Sequence, residues 1–475
     1  MTKTLTPDIC VIGAGSGGLS VAAAAAAFGV HVVLIEKGKM GGDCLNYGCV
    51  PSKALIAAAK QAHAMRGGAK FGIAPTEPEI DFEAVHRHIQ EVIASIAPND
   101  SVGRFAALGV HVIEAEARFR DARTVIAGDV EIRARRFVVA TGSSPLIPQI
   151  PGLDSIGYLT NETVFDLTQR PAHLVILGGG PIGMELAQAY RRLGSDVTVI
   201  EAERALGKED PEISAIALAQ IRAEGVDIRE GAKLARVESL GEDGVRLFLE
   251  TAAGAKKIDG SHLLLAAGRL ANVAGLDLDK AGILFDQKGI KVDDTLRSSN
   301  RRVYAVGDVA GSLQFTHVAN YHAGLVIRAM LFRLSARENL DIIPRVTFTD
   351  PEIAHVGLSE AEAAKKQKTI RVLRWPYAEN DRAQAERKTH GHIKLVTDAR
   401  GKILGVSIVG SGAGEMINFW ALALSKKLDV RDIARFVAPY PTMGEIGKRA
   451  AITYFTPTTR KKLVRRLVAF LRHFG

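Results

Sequence analysis

The chain has 475 residues, too many for one core and enough for roughly three domains. Its apolar content of 47% and charged content of 24% exclude a disordered protein, and its three cysteines exclude a disulfide scaffold. Basic residues exceed acidic ones by nine, but Arg460, Lys461, Lys462, Arg465, Arg466 and Arg472 all lie at the end of the chain. Without them the excess falls to +3, which leaves nucleic-acid binding little support.

Met1 to Cys10 carries no basic region ahead of an apolar core, so no signal peptide is expected. Asp8 to Ile12 reads as an apolar strand running into Gly13-Ala14-Gly15-Ser16-Gly17-Gly18. An alanine-rich helix to Phe28 follows, then a strand from Val30 to Ile35 ending at Glu36. Gly29 and His31 interrupt the apolar run Leu19 to Ile35, which therefore reads as helix, turn and strand and not as a membrane span. In this dinucleotide fingerprint Gly13 makes the tight turn, Gly15 lets the backbone approach a pyrophosphate, and Gly18 lets the helix pack closely on the sheet. The helix N-terminus favours phosphate charge, and Glu36 can accept from ribose hydroxyls. One such match alone is a weak signal.

Cys44 and Cys49 follow within Gly41-Gly42-Asp43-Cys44-Leu45-Asn46-Tyr47-Gly48-Cys49-Val50-Pro51-Ser52-Lys53. Five residues of regular helix rise about 7.5 Å, more than the roughly 4.4 to 6.8 Å between the Cα atoms of a disulfide. Gly48 and Pro51 supply a local distortion that could close the gap. On the residues alone three readings stand: a dithiol beside a bound nucleotide, a metal site, or two unrelated thiols. An iron–sulfur site needs further cysteines, and the one that remains, Cys10, lies inside an apolar strand. A disulfide in so cysteine-poor a chain is expected to be catalytic in a reducing compartment, hence cytoplasmic.

A helical stretch runs from Ser52 to about Ala97, broken by loop residues near Gly67 to Pro78. His86 and His88 on it are two apart and face different ways; no histidine shows metal-ligand spacing, and no metal site is expected. The fingerprint then recurs. His173 to Leu177 leads into Gly178-Gly179-Gly180-Pro181-Ile182-Gly183, a helix to Leu193, and Val197 to Ile200 ending at Glu201, with the same glycine-to-acid separation. Two fingerprints in the required context are a strong signal for two nucleotides passing electrons between them. From Pro344 the pattern changes to turn and strand at Thr347 to Ala354 and Gly391 to Val396, followed by helices. In the tail, Leu463, Val464, Leu467, Val468, Leu471 and Phe474 share one helical stripe and the basic residues the other. Such a helix docks on its own protein or lies on a membrane surface or partner.

The dithiol segment resembles the redox-active disulfide of the flavoprotein disulfide reductases, the family of dihydrolipoamide dehydrogenase, glutathione reductase and mercuric reductase, and the resemblance covers nearly the whole chain. It implies an α/β fold with two Rossmann-like domains, for FAD and NAD(P), and a C-terminal α+β dimerisation domain. The implied order is FAD-binding residues 1–150 with the disulfide, NAD(P)-binding residues 151–282, a second FAD segment 283–345, dimerisation residues 346–459, and a basic tail 460–475. Pro148, Pro151 and Gly152 mark the first crossing. Gly268-Arg269 is similar to the family's Gly-Arg turn, although the Pro-Asn that usually follows reads Ala271-Asn272. The family forms homodimers whose sites are completed by the partner.

By the same resemblance FAD lies at Gly13, Gly15, Gly18, Glu36, Gly42, Lys53, Thr141, Gly142, Ser143, Gly307 and Asp308, and the nicotinamide nucleotide at Gly178, Gly180, Gly183, Glu201 and Gly268. A carboxylate at Glu201 repels a 2′-phosphate, so NADH is expected over NADPH, with Arg204 and Lys208 nearby. Cys49 matches the flavin-proximal thiolate and Cys44 the interchange thiol. Lys53 and Glu185 match a buried ion pair beside the flavin. Asp43 stands where threonine is usual, and is expected to raise the pKa of Cys44 or disfavour anionic substrates.

The family's proton-shuttling histidine reads Tyr440 here, within Ala438-Pro439-Tyr440-Pro441-Thr442-Met443-Gly444-Glu445; the glutamate that orients it remains as Glu445. A phenol is a poor base at neutral pH, so efficient dihydrolipoamide turnover is not expected. Mercuric reductase also has tyrosine there, but the vicinal cysteine pair those enzymes carry near the C-terminus has no counterpart in these residues. The sequence therefore reads as a mercuric-reductase-like flavoprotein acting on a metal ion, a disulfide or another electrophile. Dihydrolipoamide dehydrogenase is the second reading, and a membrane-associated redox sensor or partner-binding flavoprotein the third.

Overall fold

The computed structural model describes residues 3–241 and 244–474. They divide into two compact units, Met1–Ala202 with Asp227–Glu338, and Glu203–Val226 with Asn339–Gly475.

In the first unit a five-stranded parallel sheet has the order Val303–Ala305, Arg136–Val139, Ile9–Ile12, Val32–Glu36, His111–Glu114. Its three interior strands are apolar except at the ends, Arg136 and Glu36, because both faces are covered. Ile9, Val11, Leu34, Val138 and Tyr304 face a core shared with the helices Ser16–Ala27 and Thr316–Phe332. Cys10, Ile12, Val33, Phe137 and Val139 alternate to the other side, against Phe119, Val125 and Ile132 of a small sheet. Cys10 is fully buried, and burial raises its thiol pKa so far that it is inert.

A second parallel sheet, Asp227–Arg229, Asp196–Ile200, His173–Leu177, His262–Leu265, carries the second fingerprint. One face packs on an antiparallel layer through Val237, Leu247, Leu249 and Ile258. The chain crosses back along Arg269–Ala271, which pairs antiparallel with Ser143–Pro145. This brings the Gly-Arg turn beside Ser143–Pro145.

The second unit is built on a five-stranded antiparallel sheet, Arg345–Thr347, Glu352–Gly357, Ile403–Gly410, His392–Asp398, Ile370–Pro376. The helix Pro211–Ala223, which the sequence reading sets among NAD(P)-binding residues, belongs to this unit. Buried Lys394 explains the attachment: its ammonium lies 2.8 Å from Asp210, 3.1 Å from Glu212 and 2.6 Å from Glu360. Asp210 also caps the helix by accepting from the Glu212 amide.

The tail forms the helix Lys462–Leu471, as its periodicity predicts, and no residue of that helix is buried. Leu463 is 79% exposed and Phe474 72%. Among the described residues no helix is long and apolar enough to cross a membrane.

Candidate active site

The two glycine turns repeat one geometry. Gly13 and Gly178 have φ of +103° and +115°, and a Cβ on either would strike a backbone carbonyl, at 2.5 Å from Ala140 O and 2.3 Å from Ala266 O. Gly18 and Gly183 pack so closely that a Cβ would lie 1.8 Å and 2.0 Å from the oxygens of Gly13 and Gly178. The middle glycines differ. A Cβ on Gly180 meets nothing within 4 Å, and on Gly15 only Gly42 Cα at 3.8 Å. The first and third glycines thus serve the fold, while the second opens a helix N-terminus that no side chain caps, with room for a pyrophosphate.

The acids close the same turns. Glu36 accepts from the Ala14 amide at 2.6 Å and from Gly38 at 2.8 Å, and Glu201 accepts from Gly179 at 2.8 Å. Each still has acceptor capacity for a ribose.

The dithiol loop is stitched to the first cradle. Gly41 donates to the Ala14 carbonyl, and Gly42, at φ +61°, approaches until a Cβ would lie 2.7 Å from Gly15 Cα. Cys44 lies in the short helix Gly42–Asn46, and Cys49 opens the helix Cys49–Arg66. Gly48 makes the break between them, with φ −128° and ψ −107°. Pro51, by contrast, sits undistorted in the first turn, where its missing N–H costs nothing.

Both cysteines are free thiols. A hydrogen bond between the sulfurs leaves the proton on Cys44, which is pushed up, and lowers Cys49 to about 6. Thr316 Oγ1 lies 3.3 Å from Cys49 Sγ, and Lys53 adds positive charge. Ser16 also hydrogen-bonds Cys44. Ser16, Cys49 and Thr316 are each the first residue of a helix, so three positive helix ends converge on the pair. An apolar cleft of about 430 Å³ opens beside Cys49, lined by Val50, Ala54, Ala57, Val92 and Ile96, with Lys53 and His88.

Lys53 and Glu185 form the expected ion pair at 2.8 Å, tying the dithiol helix to the helix Pro181–Arg192. Thr141 Oγ1 donates to the Asn272 carbonyl, and the Asn272 amide donates back to Thr141. Gly142 and Gly307 take positive φ, and Gly268 lies at φ +132° in the Gly-Arg turn. Asp308 is raised by burial and accepts from Ser143 Oγ at 2.5 Å.

Asp43 pairs with Arg269 at 3.1 Å and accepts from Asn161, and its charge raises Cys49 and Asp308. Asn161 and Thr316 are site residues that no motif announces, and the Gly-Arg turn announces Arg269 without its partner Asp43. His86 bonds the Phe165 carbonyl while His88 faces the cleft, and among the described residues no cluster could hold a metal.

In the second unit Tyr440 is 70% exposed, and its hydroxyl donates to Asp381 at 3.0 Å, not to Glu445. The Asp381 carboxylate raises the phenol pKa, which moves Tyr440 further from a neutral-pH base. Glu445 starts the helix Glu445–Thr453.

Two dinucleotide cradles within one unit leave a place for a donor and for an acceptor, and a thiolate at the end of the first cradle extends the path by one station. The fold and site define the class of dithiol oxidoreductases that work with a flavin and a pyridine nucleotide. The chain belongs to the pyridine nucleotide-disulphide oxidoreductase family, which matches residues 7–323, and the family's dimerisation domain matches residues 343–451. Family members use FAD and a pyridine nucleotide, and this chain is an FAD-dependent oxidoreductase of that kind.

It is 37% identical over 460 residues to the mercuric reductase of Streptomyces lividans, covering 94% of this chain and 96% of the relative. It is 34% identical over 458 residues to dihydrolipoyl dehydrogenase 3 of Pseudomonas aeruginosa, covering 94% and 97%. Among solved structures, the Cu(II) complex of the HOCl-induced flavoprotein disulfide reductase RclA from Escherichia coli aligns with a TM-score of 0.83 at 28% identity, covering 93% and 98%. LpdA from Mycobacterium tuberculosis aligns with a TM-score of 0.86 at 27% identity, covering 95% and 99%.

Proposed function

We propose that this enzyme takes an electron pair from NADH and delivers it through Cys44 and Cys49 to a soft metal ion, a disulfide or another small electrophile, in the manner of a mercuric reductase. FAD, when bound, would supply the hydride acceptor for the nicotinamide and the electron-pair donor for the Cys44–Cys49 disulfide. Gly13, Gly15, Gly18, Glu36, Gly42, Lys53, Thr141, Gly142, Ser143, Gly307 and Asp308 hold it, and Gly178, Gly180, Gly183, Glu201 and Gly268 hold the nicotinamide nucleotide. The carboxylate at Glu201 supports NADH over NADPH.

The observation that carries this reading is the Cys49 thiolate, set at a helix N-terminus beside an apolar cleft. Cys44, the interchange thiol that meets the acceptor, can pass its proton to the Cys49 thiolate it is hydrogen-bonded to, so the pair takes up a soft electrophile without a further base. Dihydrolipoamide dehydrogenase is the second reading, supported by the dihydrolipoyl dehydrogenase relatives; Tyr440, bonded to Asp381, speaks against it because dihydrolipoamide must lose protons to a base. Steady-state NADH oxidation with Hg(II), Cu(II), lipoamide and glutathione disulfide as acceptors tests the assignment. Turnover of the metal ions well above lipoamide supports it, and the reverse order overturns it.

The family's dimerisation domain supports a homodimer, and the cysteine-poor composition supports a cytoplasmic enzyme. The exposed apolar stripe of the tail, bordered by basic residues, supports a peripheral contact with anionic membrane.

A further inference from the structure

Asp43 and Arg269 lie far apart in sequence, on the short helix Gly42–Asn46 and on the return strand Arg269–Ala271. Arg269 places one guanidinium nitrogen 3.1 Å from the Asp43 carboxylate. The same guanidinium donates to Ser143 twice, from Nε to the hydroxyl at 2.8 Å and from a terminal nitrogen to the carbonyl at 2.7 Å. Ser143 in turn donates to Asp308 at 2.5 Å. On the other side Asn161, itself buried, donates to Asp43 at 2.9 Å and to the Tyr47 carbonyl at 3.2 Å, so the carboxylate is held from two directions. Gly48 is part of the arrangement, because a Cβ there would lie 2.9 Å from Asp43 Oδ2.

We propose that Asp43 and Arg269 are a positioning pair that locks the dithiol segment to the Ser143–Asp308 segment of the flavin site and sets a balanced charge beside Cys49. The proposal rests on the reading of Cys44 and Cys49 as the electron-accepting dithiol. Arg269 is only 13% exposed, so its charge is weakly screened and needs the carboxylate. Cys49 is acted on by the hydrogen bonds of Cys44 and Thr316 and by the charges of Lys53 and Asp43, and of these Asp43 is the anion. Its negative charge opposes the thiolate, and Arg269 limits that opposition. An aspartate at this position therefore holds Cys49 less acidic than the usual threonine would.

The test is a pH titration of the long-wavelength flavin–thiolate absorbance of the NADH-reduced holoenzyme, with the rate of iodoacetamide alkylation of the reduced thiols followed in parallel. Asp43→Asn and Asp43→Thr should both move the midpoint down by roughly one pH unit, the low end for removal of a neighbouring charge. Arg269→Gln should move it up, and in the Asp43→Asn background should move it little, because Arg269 acts through Asp43. A midpoint unmoved or raised in both Asp43 variants, or an Arg269→Gln shift equal in both backgrounds, would overturn the proposal. A wild-type enzyme with no such absorbance would instead sink the dithiol reading itself, so the two failures are separable.

Discussion

Cys49 Sγ and Thr316 Oγ1 stand 3.3 Å apart, which joins the start of the dithiol helix to the start of the helix Thr316–Phe332. The hydroxyl donates to the thiolate there, and with the hydrogen bond from Cys44 it holds the Cys49 pKa near 6. The sign follows directly. The thiolate is present above about 6 and is lost as pH falls through it. The NADH-reduced enzyme should show a long-wavelength flavin–thiolate band at pH 8 that fades with a midpoint near 6. Cys49→Ser should abolish the band with FAD still bound, and Thr316→Val should raise the midpoint. A band that survives Cys49→Ser would falsify the assignment.

The second fingerprint separates fold from binding. Gly183→Ala forces a Cβ to within 2.0 Å of the Gly178 oxygen, and overpacking of this kind costs about 1 to 3 kcal/mol, so the melting temperature should drop by several degrees. Gly180→Ala meets no neighbour within 4 Å. It should melt like wild type yet raise KM for NADH about tenfold, or 1.4 kcal/mol. Unchanged NADH kinetics in Gly180→Ala would remove the nucleotide from this turn.

This contrast shows what the sequence could reveal. Gly13, Gly18, Gly178 and Gly183 are legible because a positive φ or a carbonyl at 2 Å admits no other residue, a constraint local to a few positions in the chain. The break at Gly48 is legible for a different reason, because a glycine between the two cysteines admits the φ −128°, ψ −107° conformation that ends one helix and starts the next. The Asp43 partner is not, since Arg269 reaches it only through the antiparallel pairing of Arg269–Ala271 with Ser143–Pro145, a long-range event without local signature. Nor does local pattern reveal that the helix Pro211–Ala223 is held by Lys394, because a buried lysine among three carboxylates looks like any strand lysine in sequence. The tail stripe is legible as amphipathic, but its surroundings depend on what else reaches it.

Nucleotide choice turns on Glu201. Its carboxylate accepts from the Gly179 amide at 2.8 Å and so is held at the turn where a ribose would sit. A charge-assisted hydrogen bond to a ribose hydroxyl contributes about 1.5 to 3 kcal/mol. The wild type should therefore favour NADH in kcat/KM. Glu201→Gln, which keeps an acceptor for Gly179 and removes the charge, should narrow the preference at least tenfold. A wild-type preference for NADPH would sink this assignment.

The proposed membrane contact through the tail is tested by co-sedimentation with anionic liposomes. Each basic side chain near such a surface contributes about 1 kcal/mol, to which burial of the exposed leucine and phenylalanine stripe adds. Binding should be strong at low salt, weak at high salt, and lost on deletion of residues 460–475. If the deletion instead lowers the melting temperature and the intact protein ignores liposomes, the helix serves the protein itself.

Tyr440 decides between the two enzyme readings. Its hydroxyl donates to Asp381, whose charge raises the phenol pKa, so at neutral pH it carries a proton it does not readily release. Positioned general acid–base catalysis contributes about 10² to 10⁴-fold, and dihydrolipoamide oxidation should be slow by that order. Tyr440→His puts a group with a reference pKa of about 6.5 at the same place. Asp381, already in hydrogen-bonding reach of this side chain, and Glu445 are both available to orient the imidazole. Dihydrolipoamide activity should rise at least tenfold, with a new pH dependence near neutrality, while reduction of a soft metal ion, which needs the Cys49 thiolate and electrons but no base, should change little. High dihydrolipoamide activity in the wild type, unchanged or lowered by Tyr440→His, would mean that another group moves the proton, and would make dihydrolipoamide dehydrogenase the better reading.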